Sequence, residues 1–157
     1  MKIRVIVIGK TDEEYLRAGI KEYITRLKRY IPVDYIEIPA LKNASSLTIP
    51  EQQAREKEIL EKQIKPGETV VLLDEHGRQL TSSELALYLN QRLVSGIKSL
   101  VFLAGGPYGF HKDFKKTNYD LVALSKMTFS HQMVRLIFAE QLYRAFTILR
   151  NESYHHE

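Results

Sequence analysis

The sequence predicts a single α/β domain over residues 1–157, a mainly parallel sheet flanked by helices. Three observations carry that prediction. Short β-branched or apolar runs alternate with longer segments of helical apolar spacing, the order expected of repeated strand–helix–strand units. The run Thr69–Leu73 is continuously apolar after its first residue, as suits a strand covered on both faces. The run Ser99–Ala104 leads directly into Gly105-Gly106-Pro107-Tyr108-Gly109, where an open parallel sheet places a ligand loop.

Taken in order, Ile3–Ile8 is a buried strand rich in β-branched residues, broken by Gly9-Lys10. Thr11-Asp12-Glu13-Glu14 has capping-box spacing, with Thr11 as the expected N-cap. Leu16, Ile20, Tyr23, Ile24 and Leu27 then recur at helical spacing and stop before Pro32. Val33–Ile38 is the second strand, and 39–49 a polar loop. A charged helix runs from Pro50 to Ile64, with Pro50 suited to a first turn. Pro66-Gly67 turns the chain into the third strand, Thr69–Leu73. Thr81-Ser82-Ser83-Glu84 is a second capping box, opening a helix to Leu93 before the fourth strand, Ser99–Ala104. A short polar helix, a fifth strand at Leu121–Leu124 and a last helix from His131 to Arg150 complete the chain.

That last helix is apolar on more than one face, with Met133, Val134, Leu136, Ile137, Phe138, Leu142, Tyr143, Phe146, Ile148 and Leu149. A surface helix needs one apolar stripe, and this one has enough for two. Either it is the central helix of the core, or it also packs against a second subunit.

The chain has no cysteine, which removes thiol nucleophiles, disulfides and cysteine-ligated zinc and is compatible with a reducing cytosol. No secretory leader or membrane-length apolar run is read, so a cytoplasmic protein without membrane contact is expected. The net charge of +4 permits an acidic partner such as RNA. Residues 1–30 alone hold eight Lys or Arg against four acids, which is either a solvated helix face or a phosphate-contacting flank.

Two loops are candidates for ligand binding. The glycine stretch lets backbone amides approach a ligand without an intervening Cβ. It is neither a dinucleotide fingerprint nor a nucleoside-triphosphate loop. The second loop, Leu124-Ser125-Lys126-Met127-Thr128-Phe129, mixes small polar and apolar side chains, a lining suited to a ring with hydrogen-bonding edges. His131 reads as a cap of the last helix, with Arg135 one turn on along the same face. The tail Ser153-Tyr154-His155-His156-Glu157 is either frayed or set over a site. Adjacent histidines on an extended chain point to opposite sides, which makes a joint metal site a poor reading.

These stretches together resemble one family, the ribosomal RNA large subunit methyltransferase H family of the SPOUT (trefoil-knot) superfamily. The resemblance runs through Lys2-Ile3, Gly9-Lys10, Glu37-Ile38-Pro39, Leu73-Asp74 with Gly77, Gly105 to Gly109 and Ser125 to Phe129. It continues through His131-Gln132-Met133-Val134-Arg135, Glu140-Gln141-Leu142-Tyr143-Arg144-Ala145 and Tyr154-His155. Ser130 and Ser153 stand where the family leads one to expect proline, a change that relaxes the backbone there.

The resemblance implies a C-terminal trefoil knot, an exception to the rule that chains do not thread their own loops. It also implies a homodimer whose last helices pack together. The implied cofactor is S-adenosylmethionine, bound by Leu73, Gly105 and Leu124, Ser125, Lys126, Met127, Thr128 and Phe129. The implied substrate is a pseudouridine of 23S rRNA in the assembled ribosome, methylated at N3 without a metal. Tyr154 would position the base or stack on it, and His155 would handle the proton. Arg135 would hold a phosphate or uracil oxygen, or else support the knot. Two other readings compete: a SPOUT methyltransferase acting on another RNA such as tRNA, and a catalytically silent ribosome-associated factor.

Overall fold

Side chains alternate across a strand, and the strands of this chain are apolar on both sides. In the computed structural model, which describes residues 1–156, β1 (Lys2–Ile8) sends Ile3, Val5 and Val7 to one face and Ile6 and Ile8 to the other. Glu157, the end of the tail, lies outside the described residues. β2 (Val33–Ile38), β3 (Thr69–Gln79), β4 (Ser99–Ala104) and β5 (Asp120–Ala123) join β1 in one sheet of order β2-β1-β4-β3-β5. Every pairing is parallel.

Each face of the sheet has its own core. On one lie α1 (Glu14–Leu27), α3 (Ser82–Val94) and α5 (Met133–Leu149), contributing Ile20, Ile24, Leu85, Leu89, Phe138, Leu142 and Phe146. On the other lie α2 (Ile49–Glu61) and the short α4 (Lys112–Lys115), with Leu60 and Phe114 packed against Ile6, Leu72 and Leu103. α5 packs against both α1 and α3. Its buried residues, Phe138, Ala139, Leu142, Ala145 and Phe146 among them, therefore serve the chain's own core. Of the ten apolar residues named for this helix, Phe138, Leu142 and Phe146 are buried and the other seven are half-buried, with Leu136, Ile148 and Leu149 packed against the same core.

Several boundaries differ from expectation for identifiable reasons. Thr11 and Glu14 form no capping box: α1 begins at Glu14 without a side-chain cap. Thr11 is fully buried instead, its hydroxyl donating to Glu37 Oε1 at 2.5 Å and accepting from Arg135 Nη1 at 3.0 Å. The buried partners outcompete a solvent-exposed cap. The Thr81–Glu84 box does form, and an equivalent box at Thr48 and Glu51 starts α2. His131 does not cap α5; Ser130 lends its hydroxyl to the Met133 amide at 3.1 Å. A proline at that position has no hydroxyl to offer, so the serine replaces a backbone restraint with a hydrogen bond.

The largest difference lies in β3. It does not stop at Leu73 but resumes pairing after a bulge: Leu73 and Arg78 both stand opposite Val122, with residues 74–77 looped out between them. Bulges re-aim side chains beside active sites. Gly77 makes this one possible, because a Cβ there would lie 2.5 Å from the Val122 nitrogen.

Candidate active site

The bulge, the glycine loop and the 124–129 loop meet at the carboxyl ends of β3, β4 and β5, where parallel α/β sheets bind ligands. They enclose a cavity of about 400 Å³, within the range of small-molecule sites. Its apolar lining includes Leu73, Ala104, Val122, Leu124, Phe129 and Val134. One wall is the backbone of Gly105 to Gly109, tightened by the Gly109 amide donating to the Gly106 carbonyl at 3.0 Å. Opposite, Ser125 Oγ accepts from the Met127 amide at 2.9 Å and shapes the 124–129 turn. Tyr108 and Met127 are exposed beside the cavity and present large apolar groups at its edge.

The polar lining comes mainly from the bulge. Asp74 is buried, with its carboxylate 2.8 Å from Lys115 Nζ and 3.0 Å from both the amide and Nδ1 of His76. Burial pushes the Asp74 pKa up, but Lys115 and the His76 amide together outweigh it and hold the group below its ordinary 3.8. Asp74 is therefore a carboxylate at neutral pH. Glu75 and His131 also line the cavity. Burial, aided by the nearby Arg135 charge, holds His131 below 6.5, which keeps its imidazole neutral at physiological pH.

Of the residues expected to hold a cofactor, Leu73, Gly105, Leu124, Ser125, Met127, Thr128 and Phe129 all line this one cavity. Lys126 does not; it is exposed and outside the lining. Asp74, Glu75, His76, Lys115 and Gln53 line it without having been singled out for binding. The Leu73-Asp74…Gly77 stretch carried the only signal for three of them, and nothing in the sequence discloses that four residues loop out there.

Tyr154 and His155 lie elsewhere, on the α1–α5 side of their own chain. Tyr154 Oη is 3.1 Å from Glu140 Oε1 and 3.3 Å from Tyr23 Oη, and its ring packs edge-on against Tyr143. Burial, together with Tyr23 and Glu140, raises the Tyr154 pKa, so the phenol stays protonated. His155 Nδ1 lies 3.4 Å from Arg144 Nη1. Neither residue lines the cavity of the same chain.

Arg135 is buried and fully engaged. It donates to the carbonyls of Ile8 at 2.5 Å, Gly9 at 2.9 Å and His131 at 3.1 Å, and to Thr11 Oγ1 at 3.0 Å. That assigns it to tying the first turn of α5 to the end of β1, not to a phosphate. Among the described residues no group of three or more His, Asp or Glu could hold a metal ion, and no helix is long and apolar enough to cross a membrane.

A family model described as a predicted SPOUT methyltransferase matches residues 1–155. The chain belongs to the SPOUT methyltransferase family. Two proteins named ribosomal RNA large subunit methyltransferase H are similar along essentially their whole length. That of Parabacteroides distasonis is 50% identical over 157 residues, covering 100% of both chains. That of Christiangramia forsetii is 48% identical over 156 residues, covering 99% of each. Two solved structures share the fold at low identity. A probable methyltransferase from Bordetella pertussis Tohama I gives a TM-score of 0.55 at 12% identity, covering 92% of this chain and 96% of that one. A probable methylase family protein from Haemophilus influenzae Rd KW20 gives 0.53 at 13%, covering 99% and 70%. For this SPOUT methyltransferase, the cavity at the strand ends is where its two expected ligand loops meet, and it is the candidate site.

Proposed function

We propose that this methyltransferase takes its methyl group from S-adenosylmethionine and places it on N3 of a pseudouridine in 23S rRNA, acting on the assembled ribosome as a cytoplasmic homodimer. The observation that carries this reading is the full-length 50% identity to a protein named ribosomal RNA large subunit methyltransferase H. The cavity fits the donor. The Gly105–Gly109 backbone offers amides and carbonyls to an adenine edge, Leu73, Leu124 and Phe129 offer apolar surface to the ring, and Glu75 offers negative charge to a cation, that of Asp74 being countered by Lys115. When bound, the donor supplies an electrophilic methyl on a positively charged sulfur.

The chain's own contribution is positioning and proton handling. The target N3 carries a proton whose pKa lies well above neutral, and that proton must leave as the methyl arrives. His155 is assigned to accept it. Tyr154, held protonated by burial and by Tyr23 and Glu140, is a hydrogen-bond donor and a stacking surface, not a base. Because both lie away from the cavity of their own chain, they are assigned to the cavity of the partner subunit. That assignment requires the proposed dimer, and the C-terminal part of the chain is assigned the trefoil knot of the superfamily.

Mass spectrometry of rRNA from a strain lacking this gene tests the reading. Loss of one methyl from a 23S pseudouridine, restored by the gene, is expected. A change confined to tRNA would transfer the activity to another RNA, and no change in any RNA would leave a binding factor.

A further inference from the structure

Helix α2 reaches the glycine loop from the face of the sheet opposite α5, and it touches that loop at two points. Gln53 Nε2 donates to the Tyr108 carbonyl at 2.7 Å. One turn further along, Glu56 is 4% exposed and faces the Gly106 backbone; burial raises its pKa above the ordinary value, opposed in part by hydrogen bonding from Gln52 and the Gly106 amide. The fit is close enough that a Cβ on Gly106 would lie 2.6 Å from both carboxylate oxygens. Gln52 Nε2 fixes the carboxylate from the other side, donating to Oε1 at 2.9 Å.

Glu56 is a poor choice for mere packing. Its Oε2 is buried without a well-formed hydrogen bond, and burying an unsatisfied carboxylate oxygen is unfavourable where an apolar side chain would serve. A buried polar group kept at such a disadvantage calls for a reason. Its location supplies one: the loop it holds is a wall of the cavity, and Gln53, Gly105 and Gly106 line that cavity directly.

We propose that α2 is the clamp that preorganises the cofactor loop, with Glu56 as a positioning residue acting through Gly106 and Gln53 as its counterpart at Tyr108. A loop already held in its binding shape gives up less conformational freedom when the ligand arrives, which strengthens binding without new contacts. The clamp acts on affinity for the methyl donor and leaves the transfer step alone. It rests on the reading that this cavity binds S-adenosylmethionine.

The test is calorimetric binding of S-adenosylhomocysteine to the full-length protein, paired with KM and kcat for methylation of ribosomes. Glu56→Ala is expected to weaken binding and raise the donor KM by about tenfold while kcat stays within about threefold. Glu56→Gln, of the same shape with one acceptor oxygen retained, recovers most of the affinity. Gln53→Ala, which removes one hydrogen bond at a half-buried position, weakens binding by about threefold and decides the matter if Glu56→Ala is not recovered folded. Affinity unchanged in the folded Glu56→Ala protein, or in Gln53→Ala when that protein must decide, overturns the clamp. Equal losses in Glu56→Gln and Glu56→Ala also overturn it. If the unmodified protein fails to bind S-adenosylhomocysteine at all, the cofactor assignment itself fails and the clamp falls with it.

Discussion

Arg135 joins the first turn of α5 to the end of β1 through three hydrogen bonds, makes a fourth to the His131 carbonyl, and has Glu37 Oε1 3.9 Å from its guanidinium. Removing that charge takes the side-chain donor from three carbonyls and leaves the Thr11 hydroxyl with Glu37 alone. Arg135→Met is therefore expected to lower the unfolding free energy by about 3–5 kcal/mol in urea titration, and Arg135→Lys, with fewer donors in the wrong geometry, recovers only part. The sequence could not disclose this network. Thr11 and Glu14 satisfy a local capping rule, and only the approach of Arg135 and Glu37 from distant segments shows why the threonine turns inward. The proposed proton acceptor is His155, and His131 in the cavity is its rival. His155→Asn is expected to lower kcat by about 100-fold with S-adenosylhomocysteine affinity unchanged, as removal of a proton acceptor should. If His131→Asn produces that loss and His155→Asn does not, the proton passes to the neutral imidazole inside the cavity.

Elements were legible wherever local pattern decides. The five strands and the helices packed on them follow from apolar periodicity, and Thr81–Glu84 was readable as a cap because both its partners are local. The β3 bulge was not, since its existence depends on how Arg78 re-pairs with a strand more than forty residues away. Gly77→Ala is expected to break that pairing and the Asp74 position together, because the new methyl would sit 2.5 Å from the Val122 nitrogen and 2.6 Å from the Leu121 carbonyl carbon. Loss of S-adenosylhomocysteine binding with a reduced melting temperature checks it. Acid dependence follows from the same bulge. The folded pKa of Asp74 lies below its ordinary 3.8, so its contribution to stability is complete above the unfolded value and is lost as pH falls through the folded one. Wild-type protein should then lose stability faster than Asp74→Asn as pH falls from about 5 to about 3. Parallel slopes for the two proteins would mean that Lys115 and His76 do not stabilise the carboxylate.

At the scale of the whole molecule, the positions of the two sets of site residues set a geometric requirement. The cofactor-loop residues converge on one cavity, whereas Tyr154 and His155 pack with Tyr23, Glu140, Tyr143 and Arg144 on the α1–α5 side. A single chain thus holds the two halves of the proposed chemistry apart, and a dimer can join them only by offering the tail of one subunit to the cavity of the other. Two inactive variants make that requirement measurable. One lacks residues 153–157 and keeps its cavity; the other keeps its tail but carries Gly105→Trp, which fills the cavity wall. Each homodimer is expected to be inactive, the first still binding S-adenosylhomocysteine and the second not. Mixed dimers hold one cavity that is intact and one tail that is intact, on opposite chains. If sites form across the interface, mixing and re-forming the dimers restores activity, up to about half of the wild-type rate per mixed dimer when each dimer carries two independent sites. Sites built within one chain give no recovery, because neither chain then owns a complete set, and activity retained by the truncated homodimer would remove the tail from the chemistry altogether.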